Sequence, residues 1–121
     1  MARLLILGAG IAGHTAALIA KRKLGRKHEV VVVSPNSNYQ WIPSNIWVGV
    51  GLMTTEQVKF PLAPVYKKLG ITYKQAAAVS INPEGNESSN RPFVTIKYTV
   101  GELKDTTENI EYDYVINATG P

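Results

Sequence analysis

Apolar residues in this chain occur in short blocks, and the first three blocks predict a strand, a helix and a second strand. Residues 3–7 would place aliphatic side chains on both faces of a strand, which is typical of a buried parallel strand. Residues 11–24 have helical spacing, with Gly25 as a C-terminal stop. The packing stripe of this helix is predicted to be Ala12, Ala16, Ala20 and Leu24, with Ile19 beside it. Residues 29–33 form a block that is β-branched and fully apolar in its centre, so the three elements predict one right-handed βαβ unit.

The later blocks predict one more helix and several shorter strands. Residues 58–69 are a helix candidate whose prolines, Pro61 and Pro64, delay its start. Strands are predicted at residues 71–73, 76–81, 93–100 and 111–117, with polar turns at 82–92 and 101–109. These strands are expected to form an antiparallel meander rather than a second α/β repeat.

Three glycines follow the first strand at the spacing G-x-G-x-x-G. Gly8 permits a tight turn out of the strand, Gly10 lets a pyrophosphate approach the backbone, and Gly13 lets the helix pack closely on the sheet. The phosphates would then bind the free N–H groups at the positive end of the helix. Because the motif leaves a strand and opens a helix, it predicts a dinucleotide-binding site.

The residue expected to bind the adenosine ribose departs from the usual pattern. A carboxylate normally stands about twenty residues after the last glycine, at the tip of the second strand. Ser34 occupies that place, followed by Asn36, and both can hydrogen-bond ribose hydroxyls more weakly than a carboxylate does. No arginine lies between Ser34 and Pro43, so NADP is disfavoured.

Residues 38–51 predict a long apolar and aromatic loop. They contain Trp41 and Trp47, and two interpretations are equally open. The loop either covers a bound planar ring or packs its aromatic side chains into the core or over a sheet edge.

Composition narrows the chemistry further. The chain has 121 residues and no cysteine, which bounds it to one domain and excludes disulfide and thiolate chemistry within it. His14 and His28 are its two histidines, too few for a histidine metal site, and His14 is expected to face solvent or pack on the helix rather than touch a phosphate. No secretory signal peptide is apparent, and we expect a cytoplasmic protein or one peripheral to the inner membrane.

The net charge is +4, and much of it is concentrated at the end of the first helix. The cations there are Lys21, Arg22, Lys23, Arg26 and Lys27. A nucleic-acid patch would need aromatic residues among them, and none is interleaved. We therefore interpret the cluster as a solvated helix end and expect no nucleic-acid partner.

Three segments together resemble the N-terminal part of FAD-dependent pyridine nucleotide-disulfide oxidoreductases. They are the glycine motif, the loop at 39–51 and the ending Ile116-Asn-Ala-Thr-Gly-Pro121. Within that superfamily the likeness is greatest to sulfide:quinone oxidoreductases and flavocytochrome c sulfide dehydrogenases. The resemblance implies an α/β, Rossmann-like FAD/NAD(P)-binding domain, truncated, with a mainly parallel sheet, helices on one side and a β-meander on the other.

The resemblance also implies positions for FAD. The pyrophosphate would lie on Gly8, Ala9, Gly10, Ile11, Ala12 and Gly13. The ribose would meet Ser34 and Asn36, the isoalloxazine would lie near Pro43 and Ser44, and the adenine near the backbone of Ala78. Thr119 and Gly120 would close over the flavin side of the pyrophosphate. No catalytic residue and no metal ligand is assigned within the chain.

The redox cysteines of such enzymes are absent here, so residues 1–121 are interpreted as the first part of an FAD-binding domain that is inactive alone. The full-length enzyme would pass electrons from sulfide through FAD to a quinone, with membrane association only through its missing C-terminal region. One alternative is a type II NADH:quinone oxidoreductase-like flavoprotein, with NADH as donor. The other is a non-catalytic NAD- or FAD-binding module.

Overall fold

A computed structural model describes residues 2–87 and 90–120, which form one six-stranded sheet, a separate two-stranded hairpin and three α-helices. The strands are β1 (Arg3–Leu7), β2 (Glu29–Ser34), β3 (Asn38–Gln40), β4 (Lys59–Pro61), β5 (Thr72–Asn82), β6 (Phe93–Tyr98), β7 (Thr107–Glu111) and β8 (Tyr114–Asn117). The helices are α1 (Ile11–Leu24), α2 (Asn45–Gly49) and α3 (Leu62–Leu69). The large sheet has the order β7-β6-β5-β2-β1-β8, and β3 pairs with β4.

The four strands β5, β2, β1 and β8 run parallel, and β1 lies between β2 and β8. Leu5 of β1 is paired with Val31 on one side and Val115 on the other. The prediction of β1 and β2 as buried parallel strands is confirmed, since Leu5, Ile6 and the four valines of β2 are at most 2% exposed.

The two faces of the sheet are covered by different elements. On one face, Ile6, Val30 and Val32 pack with residues of α1 and α3. On the other, Leu5 and Val31 pack with side chains of the meander strands β6 and β7. This is the predicted α/β arrangement, with helices on one side and the meander on the other.

Helix α1 has the predicted bounds, and three of the four predicted stripe residues, Ala16, Ala20 and Leu24, are partly buried against the core. Its buried residues are Gly13, His14 and Ala17, whereas Ala12 and Ile19 are exposed. The helix docks along the line of Gly13 and Ala17 because only very small side chains fit where it crosses the β1 turn. In the described part of the chain, no helix is long and apolar enough to span a bilayer.

Several elements of the second half differ from their predictions. Helix α3 begins at Leu62, in line with the late start predicted from its prolines, but β5 is one continuous strand without the predicted break. The turn predicted at 101–109 is too long, because β7 begins at Thr107. The strand predicted at 111–117 is divided, and its second half, β8, leaves the meander to pair in parallel with β1.

The division has a long-range cause. Arg3 and Asp113 bind each other through two hydrogen bonds, from the Arg3 N–H to the Asp113 carboxylate (2.7 Å) and from the Asp113 N–H to the Arg3 carbonyl (3.0 Å). These bonds turn the chain at Asp113 and direct β8 along β1.

The stretch predicted as one aromatic loop contains β3, a 3₁₀ turn at Ile42–Ser44 and the short α2. Trp41 is 53% exposed and Trp47 is 49% exposed, so neither indole is buried in the core. Packing of aromatic side chains into the core is therefore wrong for the two tryptophans, whereas Tyr39 of the same stretch is partly buried against the core.

Candidate functional site

A cleft of about 870 Å³ opens at the carboxyl ends of the parallel strands. Its walls come from the turns that follow β1, β2 and β8, from the middle of β5 and from the β3–β4 hairpin. Its volume lies within the range of about 300–1,000 Å³ usual for small-molecule sites. In open α/β sheets, ligands bind in crevices at this edge of the sheet.

The three glycines of the motif meet different surroundings at this edge. Gly8 has φ +99°, and a Cβ there would lie 2.2 Å from the Ala118 carbonyl oxygen. A Cβ on Gly13 would lie 2.0 Å from the Gly8 carbonyl oxygen, whereas a Cβ on Gly10 would meet nothing within 4 Å. Gly8 and Gly13 thus hold the turn and the helix together, and Gly10 leaves its backbone open to the cleft.

The start of α1 forms one end of this open surface. Its N-cap is Gly10, no side chain caps it, and no acidic residue lies in its first turn. Ile11 and Ala12 are exposed and line the cleft. The first N–H groups of the helix and its positive dipole end are therefore available to an anion.

The turn after β8 is fastened beside the glycine turn. The Ala118 N–H donates to the Leu7 carbonyl (2.7 Å). The Asn117 side-chain oxygen accepts from the Thr119 hydroxyl (2.8 Å) and the Thr119 N–H (3.3 Å). Thr119 and Gly120 consequently lie in the cleft wall next to Gly8.

The end of β2 is held in place without any charged group. The buried Ser34 hydroxyl accepts from the Asn36 N–H (3.3 Å), and the Tyr73 hydroxyl donates to the Asn36 carbonyl (2.6 Å). The exposed Asn36 side chain lines the cleft. The described lining contains no carboxylate, so any ribose contact here comes from neutral groups.

Ten of the thirteen candidate binding residues line this one cleft. They are Gly8, Ala9, Gly10, Ile11, Ala12, Ser34, Asn36, Ala78, Thr119 and Gly120. The other three lie outside the lining: Gly13 is packed under the turn, Pro43 is exposed, and Ser44 is buried with its hydroxyl donating to the Trp41 carbonyl (2.6 Å).

Sequence reasoning missed the hairpin contribution to the cleft. Gln40 and Lys59 are paired across β3 and β4, and both line the cleft with Asn38. Their separation along the chain hides this pairing, and the only sequence signal is the alternation of apolar and polar residues in each short strand.

A buried histidine supports the wall behind the cleft. His14, one residue after Gly13, lies 2.7 Å from the Tyr66 hydroxyl through its Nδ1. Burial lowers the pKa of His14 below its ordinary value of 6.5. Burial also raises the pKa of Tyr66, with the neighbouring Tyr73 and Tyr39 adding to the effect. His14 therefore packs on the helix, as predicted.

Comparison with known proteins fits this architecture. The family model described as pyridine nucleotide-disulphide oxidoreductase matches residues 2–121. The chain belongs to this family.

Two curated relatives of this pyridine nucleotide-disulphide oxidoreductase chain are quinone reductases by name. It is 26% identical over 116 residues to a sulfide-quinone reductase of Aquifex aeolicus, covering 96% of this chain and 24% of the relative. It is 27% identical over 119 residues to an external alternative NAD(P)H-ubiquinone oxidoreductase of Arabidopsis thaliana, covering 98% of this chain and 19% of the relative. The chain thus spans about a quarter or less of their lengths.

A solved structure agrees with the fold. The sulfide:quinone oxidoreductase of Aquifex aeolicus superposes with a TM-score of 0.80 at 26% identity, over 100% of this chain and 25% of that one. The mixed α/β, Rossmann-like fold is therefore shared along the whole chain.

Proposed function

We propose that this chain is the first part of the FAD-binding domain of a flavin-dependent oxidoreductase. One observation carries the proposal: a glycine turn and an uncapped helix start face the same cleft as the turn at Thr119 and Gly120. A dinucleotide pyrophosphate is the group that this combination binds best, because it needs backbone donors and close approach.

The cleft fits such a cofactor sterically and chemically. Gly10 leaves open space where any side chain would project, and Ser34 and Asn36 offer neutral hydrogen-bonding groups at the ribose position. When bound, FAD supplies the electron-transfer chemistry. The residues of this chain would bind its phosphates, orient its adenosine half and close one wall around it.

For the longer protein, we propose a sulfide:quinone reductase-like activity, passing electrons from sulfide through FAD to a quinone. The similarity to the sulfide-quinone reductase of Aquifex aeolicus, in sequence and in fold, supports this proposal. This chain contains no cysteine, so cysteines that react with sulfide would have to come from outside these 121 residues. The chain alone is expected to be inactive.

A second candidate has comparable support. The similarity to the plant NAD(P)H-ubiquinone oxidoreductase, at 27% identity, favours an NADH-dependent quinone reductase of the same family. In that case the donor would be a nicotinamide nucleotide, and no cysteine would be required. Both candidates share the proposed FAD cleft and differ in the donor.

The proposal is tested by the visible absorbance of the purified chain after incubation with excess FAD and desalting, followed by calorimetric titration with FAD and with NAD. We expect flavin bands that remain with the protein, or a saturable FAD heat, and no NAD heat. NAD binding without FAD binding would overturn the flavoprotein assignment and favour a non-catalytic nucleotide-binding module.

A further inference from the structure

The β3–β4 hairpin contributes one lysine, Lys59, to the lining of the cleft. Tyr39 is paired with Phe60, and the next pair along the strands is Gln40 with Lys59. Directly opposite residues of an antiparallel pair share a face, and successive pairs alternate between faces. Gln40 and Lys59 therefore point to the cleft, and both belong to its lining.

The other face of the hairpin is fixed to the helix that begins at the cleft. The His14 ring of α1 lies 4.7 Å from the Tyr39 ring and 5.6 Å from the Phe60 ring, measured between centroids. The Trp41 N–H donates to the Val58 carbonyl (3.0 Å), which continues the pairing of β3 with β4 by one position beyond Gln40 and Lys59. The position of Lys59 relative to the start of α1 is therefore set by packing.

Lys59 is the one charged side chain in the described lining of the cleft. None of the ion pairs found in residues 2–87 and 90–120 involves it. The cleft thus has two positive features, the Lys59 ammonium and the α1 dipole end, and no carboxylate in its described lining to balance them. Such a surface favours an anion with more than one charge.

We propose that Lys59 binds a phosphate group of the nucleotide and that the hairpin is a phosphate-recognising wall of the site. This inference rests on the proposed nucleotide-binding function. It has a specific consequence, because Ser34 and Asn36 provide only neutral contacts to the ribose. Affinity then depends on the phosphates, and a nucleoside without phosphate binds poorly.

The test compares wild type, Lys59→Gln, Lys59→Arg and Lys23→Gln by calorimetric titration with FAD, ADP, adenosine 2′-monophosphate and adenosine. Lys23 is exposed in the last turn of α1 and is not part of the cleft lining, so its variant controls for the loss of one positive charge. We expect Lys59→Gln to weaken FAD and ADP binding about tenfold, as for loss of one charge-assisted hydrogen bond. Lys59→Arg retains binding and Lys23→Gln leaves it unchanged.

The ligands separate the possible sources of the phosphate. A loss confined to ADP and FAD assigns Lys59 to the pyrophosphate, and a loss confined to adenosine 2′-monophosphate assigns it to a ribose phosphate. Equal binding of both ADP and adenosine 2′-monophosphate by wild type and Lys59→Gln would overturn the inference while leaving the cofactor proposal intact. Absence of FAD and ADP binding by the wild type would overturn the cofactor proposal itself.

Discussion

At the residue scale, the three glycines of the motif differ in what a side chain would meet. A methyl group on Gly13 would lie 2.0 Å from the Gly8 carbonyl oxygen. That oxygen belongs to the backbone, so it cannot move aside as a flexible side chain could. A methyl group on Gly10 would project into open space. One glycine is therefore required by the fold, and the other is free to serve a ligand.

This difference predicts opposite outcomes for two alanine substitutions. Gly13→Ala should lower the free energy of unfolding by about 3 kcal/mol or more, because the overlap forces α1 away from β1. Gly10→Ala should leave stability within about 0.5 kcal/mol of wild type, as is usual for open surface positions. Urea denaturation followed by circular dichroism measures both, with Gly49→Ala as a control glycine that also has open space. Equal destabilisation by the two changes would contradict this assignment.

His14 predicts a pH dependence of stability. Its pKa is lowered by burial, so the unfolded chain binds a proton near pH 6.5 while the folded chain does not. The stability associated with neutral His14 is fully present above pH 6.5 and decreases as pH falls from 6.5 toward the lower folded pKa.

Denaturation at pH 7.5 and pH 5.5, compared between wild type and His14→Gln, measures this contribution. The loss of stability on acidification should be smaller in His14→Gln, because other titrating groups are common to both chains. An identical loss in the two chains would show that His14 titrates alike in the folded and unfolded states.

At the element scale, the hairpin matters because it ties the cleft wall to α1. Phe60 contacts both Tyr39, with 5.0 Å between ring centroids, and His14. Removing its ring should loosen β4, which carries Lys59 in the adjacent position.

Phe60→Ala should therefore lower the free energy of unfolding by about 1 kcal/mol, the usual value of an aromatic pair, and also weaken ADP binding. Phe60→Leu should retain part of the stability and part of the ADP affinity, since leucine keeps an apolar contact with Tyr39 and His14. Ile46→Ala is a suitable control, since Ile46 is 68% exposed on α2. If Phe60→Ala lowers stability but leaves the ADP affinity unchanged, the packing of the hairpin on α1 does not contribute to ADP binding.

The elements also show where sequence reasoning succeeds and where it stops. The β1-α1-β2 unit is predictable because apolar blocks, glycines and Gly25 all give the same local signal. The boundary between β7 and β8 is not, since it depends on Arg3 binding Asp113 across most of the chain. The polar start of β7 resembles a turn because it is at a sheet edge, where side chains face solvent. Lys59 was missed for a similar reason, as its place in the cleft depends on the pairing of β4 with β3.

At the scale of the whole molecule, the basic cluster at the end of α1 is remote from the cleft. The cations in the last turn of α1, at residues 21–23, lie 10 to 12 residues beyond its first residue, Ile11, which is about 15–18 Å along the helix axis. That distance exceeds the Debye length of about 8 Å at physiological ionic strength. The basic cluster therefore contributes to the net charge of +4 but little to the electrostatic potential in the cleft. The positive potential of the cleft comes from Lys59 and the N-terminus of α1.

The central claim is that the glycine cleft binds FAD through backbone groups of residues 8–12. It is tested most directly by calorimetric titration of FAD into wild type and Gly10→Ala under identical conditions. The account predicts saturable binding to wild type and binding weakened at least about tenfold in Gly10→Ala, with the fold unchanged. Equal FAD affinity in both chains would contradict it, because the cofactor would then bind somewhere other than the surface that Gly10 leaves open.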